Sequence, residues 1–291
     1  DSGSFTNTGS WSSPAARGNV DNFGFFANSG YKFSNDTILS FYGRGDNHKT
    51  TGLNSTYKIN LTKFVGKFKL GLTQSTGLRN PSLYELYGSN GRTDAYKIVA
   101  NPDADPEKSR TNELKIKYSF NNSLSFENTF YRSFIEDALL YDSSYKGGAG
   151  YTNNKADLKQ DGIESNIVFK KNKQKLSIYN TISSSKKTDG SHQLNRPDST
   201  YGINYNINFN NSFLGPFAIN YNYKHYGKSF DFKPSVKKVD GTDIMNLSLT
   251  KETIYGIISF KISNLLDEQY QRPEGYSQDG RLINIAFGLA Y

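Results

Sequence analysis

The stretch YGINYNINF, residues 201–209, alternates strictly between apolar and polar side chains. Its apolar set consists of Tyr201, Ile203, Tyr205, Ile207 and Phe209, and its polar set is one glycine and three asparagines. Successive side chains of a β-strand point to opposite faces, so a period of two predicts a strand with one apolar and one polar face. Such a strand separates an apolar environment from a wet one.

The same alternation recurs along the whole chain and predicts about thirteen strands, whereas no segment has the period of a helix. In residues 114–120, for example, leucine, isoleucine, tyrosine and phenylalanine alternate with Lys115, Lys117 and Ser119. The predicted strands span roughly 22–33, 37–46, 52–63, 66–77, 111–120, 123–139, 155–170, 174–187, 198–210, 216–229, 241–251, 253–265 and 280–291.

The connections between these strands are predicted to alternate strictly between short and long. Short turns contain residues 34–36, 65–67, 121–123, 171–173, 210–212 and 251–252, and long loops fall near 78–110, 140–154, 188–197, 230–240 and 266–279. In an antiparallel meander this places all short turns at one end and all long loops at the other, as in outer-membrane β-barrels. The fold class is therefore expected to be all-β, an antiparallel transmembrane β-barrel meander. A soluble β-sandwich is the alternative, because it alternates in the same way.

Composition narrows the function classes further. Hydrophobic residues make up 35% of the 291 residues, which would suit disorder, but aromatic residues make up 14%, which disordered chains lack. The absence of cysteine excludes disulfides and thiol chemistry. The net charge of +8 comes from lysines spread over the chain without a basic block, so nucleic acid is not an expected partner.

Two motifs carry a resemblance to a known family. GLRNPSLYELYG (77–88) and NPDADPEKSRTNE (101–113) resemble ordered motifs in the C-terminal barrel half of TonB-dependent outer-membrane receptors. The matching residues expected to have structural roles are Arg79, Pro81, Ser82, Asn101, Pro102, Pro106, Glu107, Ser109 and Glu113. Leu78, Asn80 and Ala104 depart from the family pattern. YRSFIEDAL (131–139), GIE (162–164) and NLLDEQY (264–270) are also similar to the family, and the cobalamin and siderophore receptors are the groups most resembled.

The resemblance implies a 22-stranded barrel of which residues 1–291 form a part. It also implies an N-terminal plug and a TonB-contacting segment, neither of which is recognised in this sequence, so the chain is expected to be a piece of a longer receptor. The implied partners are outer-membrane lipid, the missing N-terminal barrel and plug portion, the TonB complex acting through the plug, and a large metal chelate or corrinoid substrate. The apolar, aromatic last strand, with Phe287, Leu289 and Tyr291, resembles the signal read by the outer-membrane assembly machinery.

Candidate ligand-contacting residues are aromatic and basic side chains in the predicted long loops and at the strand ends beside them, at the expected external mouth of the lumen. Tyrosine offers stacking area together with a hydroxyl, which suits a large amphipathic chelate. The candidates are Tyr84, Tyr87, Tyr96, Tyr145, Tyr151, His225, Tyr226, Arg272 and Tyr276, with Tyr141 beside them. We also expect Arg79 and Glu107 to pair and to hold a long loop against the lumen wall. No catalytic set, metal site or cofactor is expected.

Three function classes follow. The first is a TonB-dependent uptake receptor, to which this chain supplies barrel wall and external loops in the bacterial outer membrane. The second is a passive porin-like channel with a basic lumen that includes Lys67, Lys69, Lys115 and Lys117. The third is a soluble β-rich carbohydrate-binding module.

Overall fold

The computed structural model describes residues 2–5, 18–89, 97–153, 157–210, 215–232, 236–272 and 275–289. Within these residues it contains nineteen strands, numbered β1 to β19 in chain order, one short α-helix, α1 (Leu83–Tyr87), and one 3-10 turn (Tyr145–Gly147). The strands are β1 (Ser2–Phe5), β2 (Gly18–Ser34), β3 (Thr37–His48), β4 (Gly52–Val65), β5 (Phe68–Arg79), β6 (Ile98–Val99), β7 (Glu107–Ser119), β8 (Leu124–Glu136), β9 (Leu140–Asp142), β10 (Ala149–Thr152), β11 (Leu158–Lys171), β12 (Gln174–Lys187), β13 (Ser199–Phe209), β14 (Phe217–Tyr226), β15 (Ser229–Phe232), β16 (Val236–Val239), β17 (Thr242–Thr253), β18 (Gly256–Ser263) and β19 (Leu282–Leu289).

Fourteen strands form one large sheet in which each neighbour in space is also the next long strand along the chain. The order is β1-β2-β3-β4-β5-β7-β8-β11-β12-β13-β14-β17-β18-β19, and every pairing is antiparallel. All thirteen predicted strands are confirmed, and β1 is an additional four-residue strand. Within the described residues the sheet has two edges, at β1 and β19. No helix among these residues is long and apolar enough to span a membrane.

The register gives the sheet one polar and one apolar face. Across β5, β7 and β8, Lys69 pairs with Lys117 and Lys117 with Glu127, while on the other side Leu72 pairs with Leu114 and Leu114 with Phe130. The polar face continues as an asparagine ladder, in which Asn222 Nδ2 donates to Asn204 Oδ1 and Asn246 Nδ2 donates to Asn222 Oδ1 (3.1 Å). A one-residue slip would invert the two faces, so the alternation fixes the register.

Several details differ from the sequence predictions, and three of them concern the long-loop end. Strand β7 begins at Glu107, four residues before the predicted start, because the β5–β7 ladder continues to the pair Arg79 and Glu107. The connection between β3 and β4, residues 49–51, is short although it lies at the long-loop end. The backbone N–H groups of Thr50 and Thr51 donate to His48 Nδ1 (both 3.3 Å), which closes this tight turn. Helix α1 is the third difference.

The long loops form two small sheets of their own. β6, β9 and β10 make a three-stranded sheet in which β10 pairs parallel with β6 and antiparallel with β9. This sheet joins the loop between β5 and β7 to the loop between β8 and β11. β15 and β16 form a two-stranded sheet between β14 and β17.

Asn264 fastens the last long loop to the sheet. Its side chain accepts from the Glu268 backbone N–H (2.9 Å) and donates to the backbone oxygens of Glu268 (2.9 Å) and Asp279 (3.3 Å). Its own N–H donates to Asn246 Oδ1 at the end of the asparagine ladder (3.0 Å). Its φ of 51° lies in the left-handed region, where asparagine is favoured among residues with a side chain. Asn264 therefore sets where the loop leaves the sheet.

We predict that Asn264→Ala accelerates protease cleavage within residues 265–281 by about tenfold or more, since it loses three hydrogen bonds and strains the backbone. The matched variant is Asn264→Gly, which loses the same bonds without backbone strain. The glycine variant should destabilise the closed loop by about 1 kcal/mol less than the alanine variant, so its cleavage should be roughly fivefold slower. If the glycine variant is cleaved at the wild-type rate, the side-chain hydrogen bonds do not hold the loop.

Candidate ligand-binding site at the long-loop end

Two loops at the long-loop end fold together into one body, which we call the loop assembly (residues 80–89, 97–106 and 137–153). Helix α1 begins it with a capping box, in which Ser82 Oγ accepts from the Glu85 N–H (3.3 Å) and Glu85 Oε2 accepts from the Ser82 N–H (2.7 Å). This reciprocal pair satisfies donors at the helix start that would otherwise be unpaired. The chain leaves α1 through Gly88, whose φ of 62° suits glycine.

A small hydrophobic core stabilises the loop assembly. Leu86 is 1% exposed and packs with Ala104 and Leu139, and Tyr87 and Tyr151 pack against this group. Asn101 ties the parts together, because its N–H donates to the backbone oxygen of Glu85 (3.1 Å) and its Nδ2 donates to the backbone oxygen of Tyr151 (3.0 Å). Since residues of both loops share one core, the loop assembly is one packed unit.

An ion network joins the loop assembly to the sheet. Arg79, the last residue of β5, donates through Nε to Glu107 Oε2 (2.5 Å) and through Nη1 to Glu85 Oε2 (3.0 Å). Glu107 Oε1 accepts from the Leu139 backbone N–H (2.8 Å), which reaches the second loop. The Glu85 and Glu107 carboxylates are largely buried, so their negative charges need the shared guanidinium of Arg79 to compensate them.

Arg79 and Glu107 lie on the polar face of the sheet, because they have the same strand parity as the pair Lys69 and Lys117. The loop assembly therefore begins on the polar side of the sheet. Helix α1 also lies beside β1 and β2.

Three tyrosines form an aromatic cluster on the loop assembly. The Tyr151 ring lies between Tyr84, with centroids 6.3 Å apart, and Tyr141, with centroids 5.8 Å apart, and both contacts are edge-to-face. Tyr84 and Tyr141 keep 36% and 54% of their surface exposed. Burial raises the pKa of the Tyr151 phenol, and Tyr84, Glu85 and Tyr141 raise it further, so this phenol stays neutral at physiological pH. Two of the three tyrosines of this cluster are partly exposed to solvent.

The other candidates in these loops have different positions. Tyr87 packs on the core, and the Tyr145 ring lies over Gly150 with Lys146 Nζ 5.2 Å from its centroid. Tyr96 lies outside the described residues.

A second group of candidates meets between β14 and the last long loop. The Arg272 guanidinium lies 4.5 Å from the centroid of the Tyr226 ring, and Lys224 Nζ lies 4.3 Å from the same centroid. Arg272 Nη2 donates to the Gly227 oxygen (2.9 Å). Burial lowers the pKa of Arg272, although the neighbouring tyrosines oppose the shift. Tyr276 is 55% exposed in the same loop, and its backbone oxygen accepts from the Arg272 backbone N–H (3.1 Å).

His225 lies away from these groups. It shares the apolar face with Tyr201 and Tyr223, stacks on Tyr201 with centroids 4.4 Å apart, and places Nδ1 2.8 Å from Asp243 Oδ1. The same Asp243 oxygen accepts from the Tyr223 hydroxyl (2.6 Å). The histidine is thus held in a side-chain network on the face opposite to the ion network of Arg79.

The remaining motif residues are mostly part of the framework. Pro81 and Pro106 are buried and Pro102 is exposed, while Ser109 pairs with Gly77 and Glu113 with Thr73 in the β5–β7 ladder. Phe287 and Leu289 continue the apolar side of β19, and Tyr291 lies outside the described residues. Among the residues that the structure describes, no three His, Cys, Asp or Glu side chains are close enough to hold a metal ion.

Sequence reasoning missed several residues that build these sites. Lys224, Asn153 and the Leu139 N–H carried no recognisable signal, because their roles depend on loops that meet only in the fold. Asn153 Oδ1 accepts from the Asp105 N–H (3.0 Å), across the two loops. The capping box was visible as Ser82 followed three residues later by Glu85.

The fold is that of a membrane β-barrel wall, and it carries the loop assembly at its long-loop end. Residues 1–265 match the family described as TonB dependent receptor-like, beta-barrel. The chain belongs to this family, which confirms the resemblance of its motifs.

Solved structures of receptor barrels share this fold. The siderophore receptor PirA from Acinetobacter baumannii is 15% identical, with a TM-score of 0.72 over 91% of this chain and 45% of that one. A mutant of the ferric enterobactin receptor from Pseudomonas aeruginosa, in complex with enterobactin, is 18% identical, with a TM-score of 0.73 over 92% and 45%. The copper transporter OprC is 14% identical, with a TM-score of 0.69 over 92% and 47%. The chain thus spans less than half the length of these proteins.

We predict that Arg79→Ala loosens both loops of the loop assembly at once. The variant leaves two largely buried carboxylates without their shared cation. This should lower the stability of the loop assembly by about 3 kcal/mol at most, because Arg79 itself is half exposed. Hydrogen exchange should rise in residues 97–106 and 140–152 together, with the centres of β7 and β8 unchanged.

Arg44→Ala is the matched control, because Arg44 pairs with Asp46 on its own strand and joins no loops (2.6 Å). If hydrogen exchange in the Arg79→Ala variant rises in only one of the two loops, the ion network does not join them.

Proposed function

We propose that this chain forms barrel wall and external loops of an energy-coupled uptake receptor in the outer membrane of a Gram-negative bacterium. Membership of the TonB-dependent receptor family and likeness to receptor barrels support this function. In this proposal residues 1–291 act as one barrel portion, and the apolar face contacts outer-membrane lipid. A plug engages the TonB complex and controls passage through the lumen. The chain performs transport and not catalysis.

The two faces of the sheet support insertion into a bilayer. In a membrane no backbone group can be left unpaired, and a continuous antiparallel ladder pairs them while one face remains apolar. The apolar face exposes large side chains without a covering layer, among them Leu72 at 55% and Ile182 at 54%. The polar face, with its asparagine ladder and the ion pair of Lys115 with Glu127, suits a water-filled lumen.

The tyrosine cluster on the loop assembly is the observation that carries the binding function. Aromatic groups on a pre-organised backbone lose little entropy on binding, and their edges and hydroxyls suit a large ligand with flat and polar parts. We infer a large metal chelate of the iron–siderophore class, with a corrinoid as the second candidate. The pairing of Arg272 and Lys224 around Tyr226 supports a ligand that carries negative charge.

Two other classes fit the observations less well. A passive porin-like channel would share the polar face and its lysines, but it would not need two loops locked together by a shared arginine. A soluble carbohydrate-binding module disagrees with the family and with the uncovered apolar face.

We predict that Ile203→Arg destabilises the folded protein in phospholipid vesicles by about 2–4 kcal/mol, because it places a charge against hydrocarbon. Asn204→Arg, one residue along β13 and on the polar face, should cost less than about 1 kcal/mol. Urea unfolding followed by circular dichroism measures both. Equal destabilisation by the two variants would contradict the assignment of the faces.

We predict that Tyr141→Ala weakens binding of a ferric siderophore by about five- to thirtyfold, equivalent to about 1–2 kcal/mol. Tyr255→Ala is the control, since Tyr255 is also exposed but lies in the turn between β17 and β18 at the opposite end. Binding to whole cells is measured with a panel of labelled ferric siderophores and cobalamin. If no member of the panel binds, or if both variants bind like wild type, the cluster is not the binding site.

A further inference from the structure

The apolar face contains a groove that the uptake function does not use. Its cavity volume is about 960 Å³, and it crosses six neighbouring strands, β4, β5, β7, β8, β11 and β12. Its apolar lining includes Leu61, Leu72, Leu114, Phe130, Ile163 and Ile182. These side chains follow one another in the cross-strand register on the face assigned to lipid.

A polar row borders the groove on the side of the long loops. It runs across the strands as Gln74, Asn112, Arg132, Asp161 and Ser184. Gln74 Nε2 donates to Asn112 Oδ1 (3.0 Å), and Arg132 forms an ion pair with Asp161. The groove therefore ends where the apolar surface gives way to hydrogen-bonding groups.

Cations dominate the surface at and beyond this row. Five basic residues occupy the apolar-face register there, namely Lys108, Arg110, Arg132, Lys159 and Lys186. Three carboxylates accompany them, Asp161 and Glu136 within the ladder and Asp157 just beyond it, where its Oδ1 accepts from the Asp137 N–H (3.2 Å). Five positive and three negative charges leave an excess of two. Among the described residues, Asp161 pairs with Arg132 and Lys159, and no carboxylate lies within 4.0 Å of the Lys108, Arg110 or Lys186 head groups.

The excess is confined to these strands. The same end of the same face carries Leu53, Ser55 and Tyr57 on β4, and Ser199 and Tyr201 on β13, all without formal charge. An ordinary lipid-facing surface needs no such cluster, because charges near hydrocarbon are costly. The position of the cluster beside an apolar groove therefore points to a ligand that is both anionic and apolar.

We propose that this groove binds a phosphorylated lipid of the outer leaflet, with acyl chains along the apolar lining and phosphate groups on the free cations. Arginine and lysine recognise phosphate through charge-assisted hydrogen bonds, and clusters of basic residues at a membrane surface select anionic headgroups. The proposal rests on the membrane orientation in the proposed function but not on the identity of the transported ligand.

The test compares two triple variants of the intact receptor. Lys108→Gln, Arg110→Gln and Lys186→Gln remove three cations beside the groove. Lys58→Gln, Lys69→Gln and Lys117→Gln remove the same charge from the polar face. Each purified protein is mixed with equal amounts of a bisphosphorylated glycolipid and its dephosphorylated form in detergent micelles. Native mass spectrometry then gives the ratio of the two bound lipids.

Wild type should prefer the phosphorylated lipid by roughly tenfold or more, since each surface cation contributes about fivefold. The groove variant should lose most of this preference, and the polar-face variant should keep it. Ferric siderophore binding by the groove variant should stay within about twofold of wild type. The experiment can therefore contradict the lipid site without contradicting the proposed uptake function, because lipid preference and siderophore binding are measured separately.

Several results would overturn the proposal. If the wild-type protein does not prefer the phosphorylated lipid, its lipid contacts are non-specific. If both triple variants lose the preference equally, the preference reflects the net charge of the protein and not the groove. Full displacement of the lipid by inorganic phosphate would indicate a site for free anions. Loss of a dimer peak in the groove variant, with lipid binding unchanged, would make the groove an interface between copies of the chain.

Discussion

The structure depends on one constraint, which is that every strand must satisfy its backbone hydrogen bonds while separating two different surroundings. Antiparallel pairing satisfies the backbone groups, and alternation by two places unlike side chains on the two faces. Both conditions hold across the meander, where polar positions such as Asn222 and apolar positions such as Leu114 keep their faces from strand to strand. The register follows, and with it the end of the sheet at which each loop emerges.

This constraint explains why most of the fold could be predicted from the sequence. Each of the thirteen long strands carries its own alternation, and no distant contact is needed to recognise it. The end of a strand depends on a neighbour, and for that reason β7 begins at Glu107 opposite Arg79, earlier than the alternation alone indicated. Helix α1 has five residues, which is too short to show a helical period, although its capping box was present in the sequence.

The candidate site was predictable as a list of side chains and not as a geometry. Tyr84 and Tyr151 were expected to contact ligand separately, but their contact depends on β10 pairing with β6, some fifty residues earlier in the chain. Tyr226 and Arg272 meet for a similar reason. His225 shows the limit of inference by proximity in sequence, since it adjoins Tyr226 but lies on the opposite face of β14. Strand parity alone would have separated these two neighbours.

The motif around Arg79 gains a physical explanation from these contacts. One arginine neutralises two carboxylates, one on the helix of the first loop and one at the start of β7, and the second carboxylate also holds the N–H of Leu139 in the second loop. The buried core that the two loops share is small, because among the described residues it consists of Leu86, Ala104 and Leu139 with two tyrosines packed against them. The ion network restricts the movement of the two loops relative to each other. The aromatic cluster that spans both loops is thus pre-organised, and a ligand that binds there as we propose would not have to order the loops.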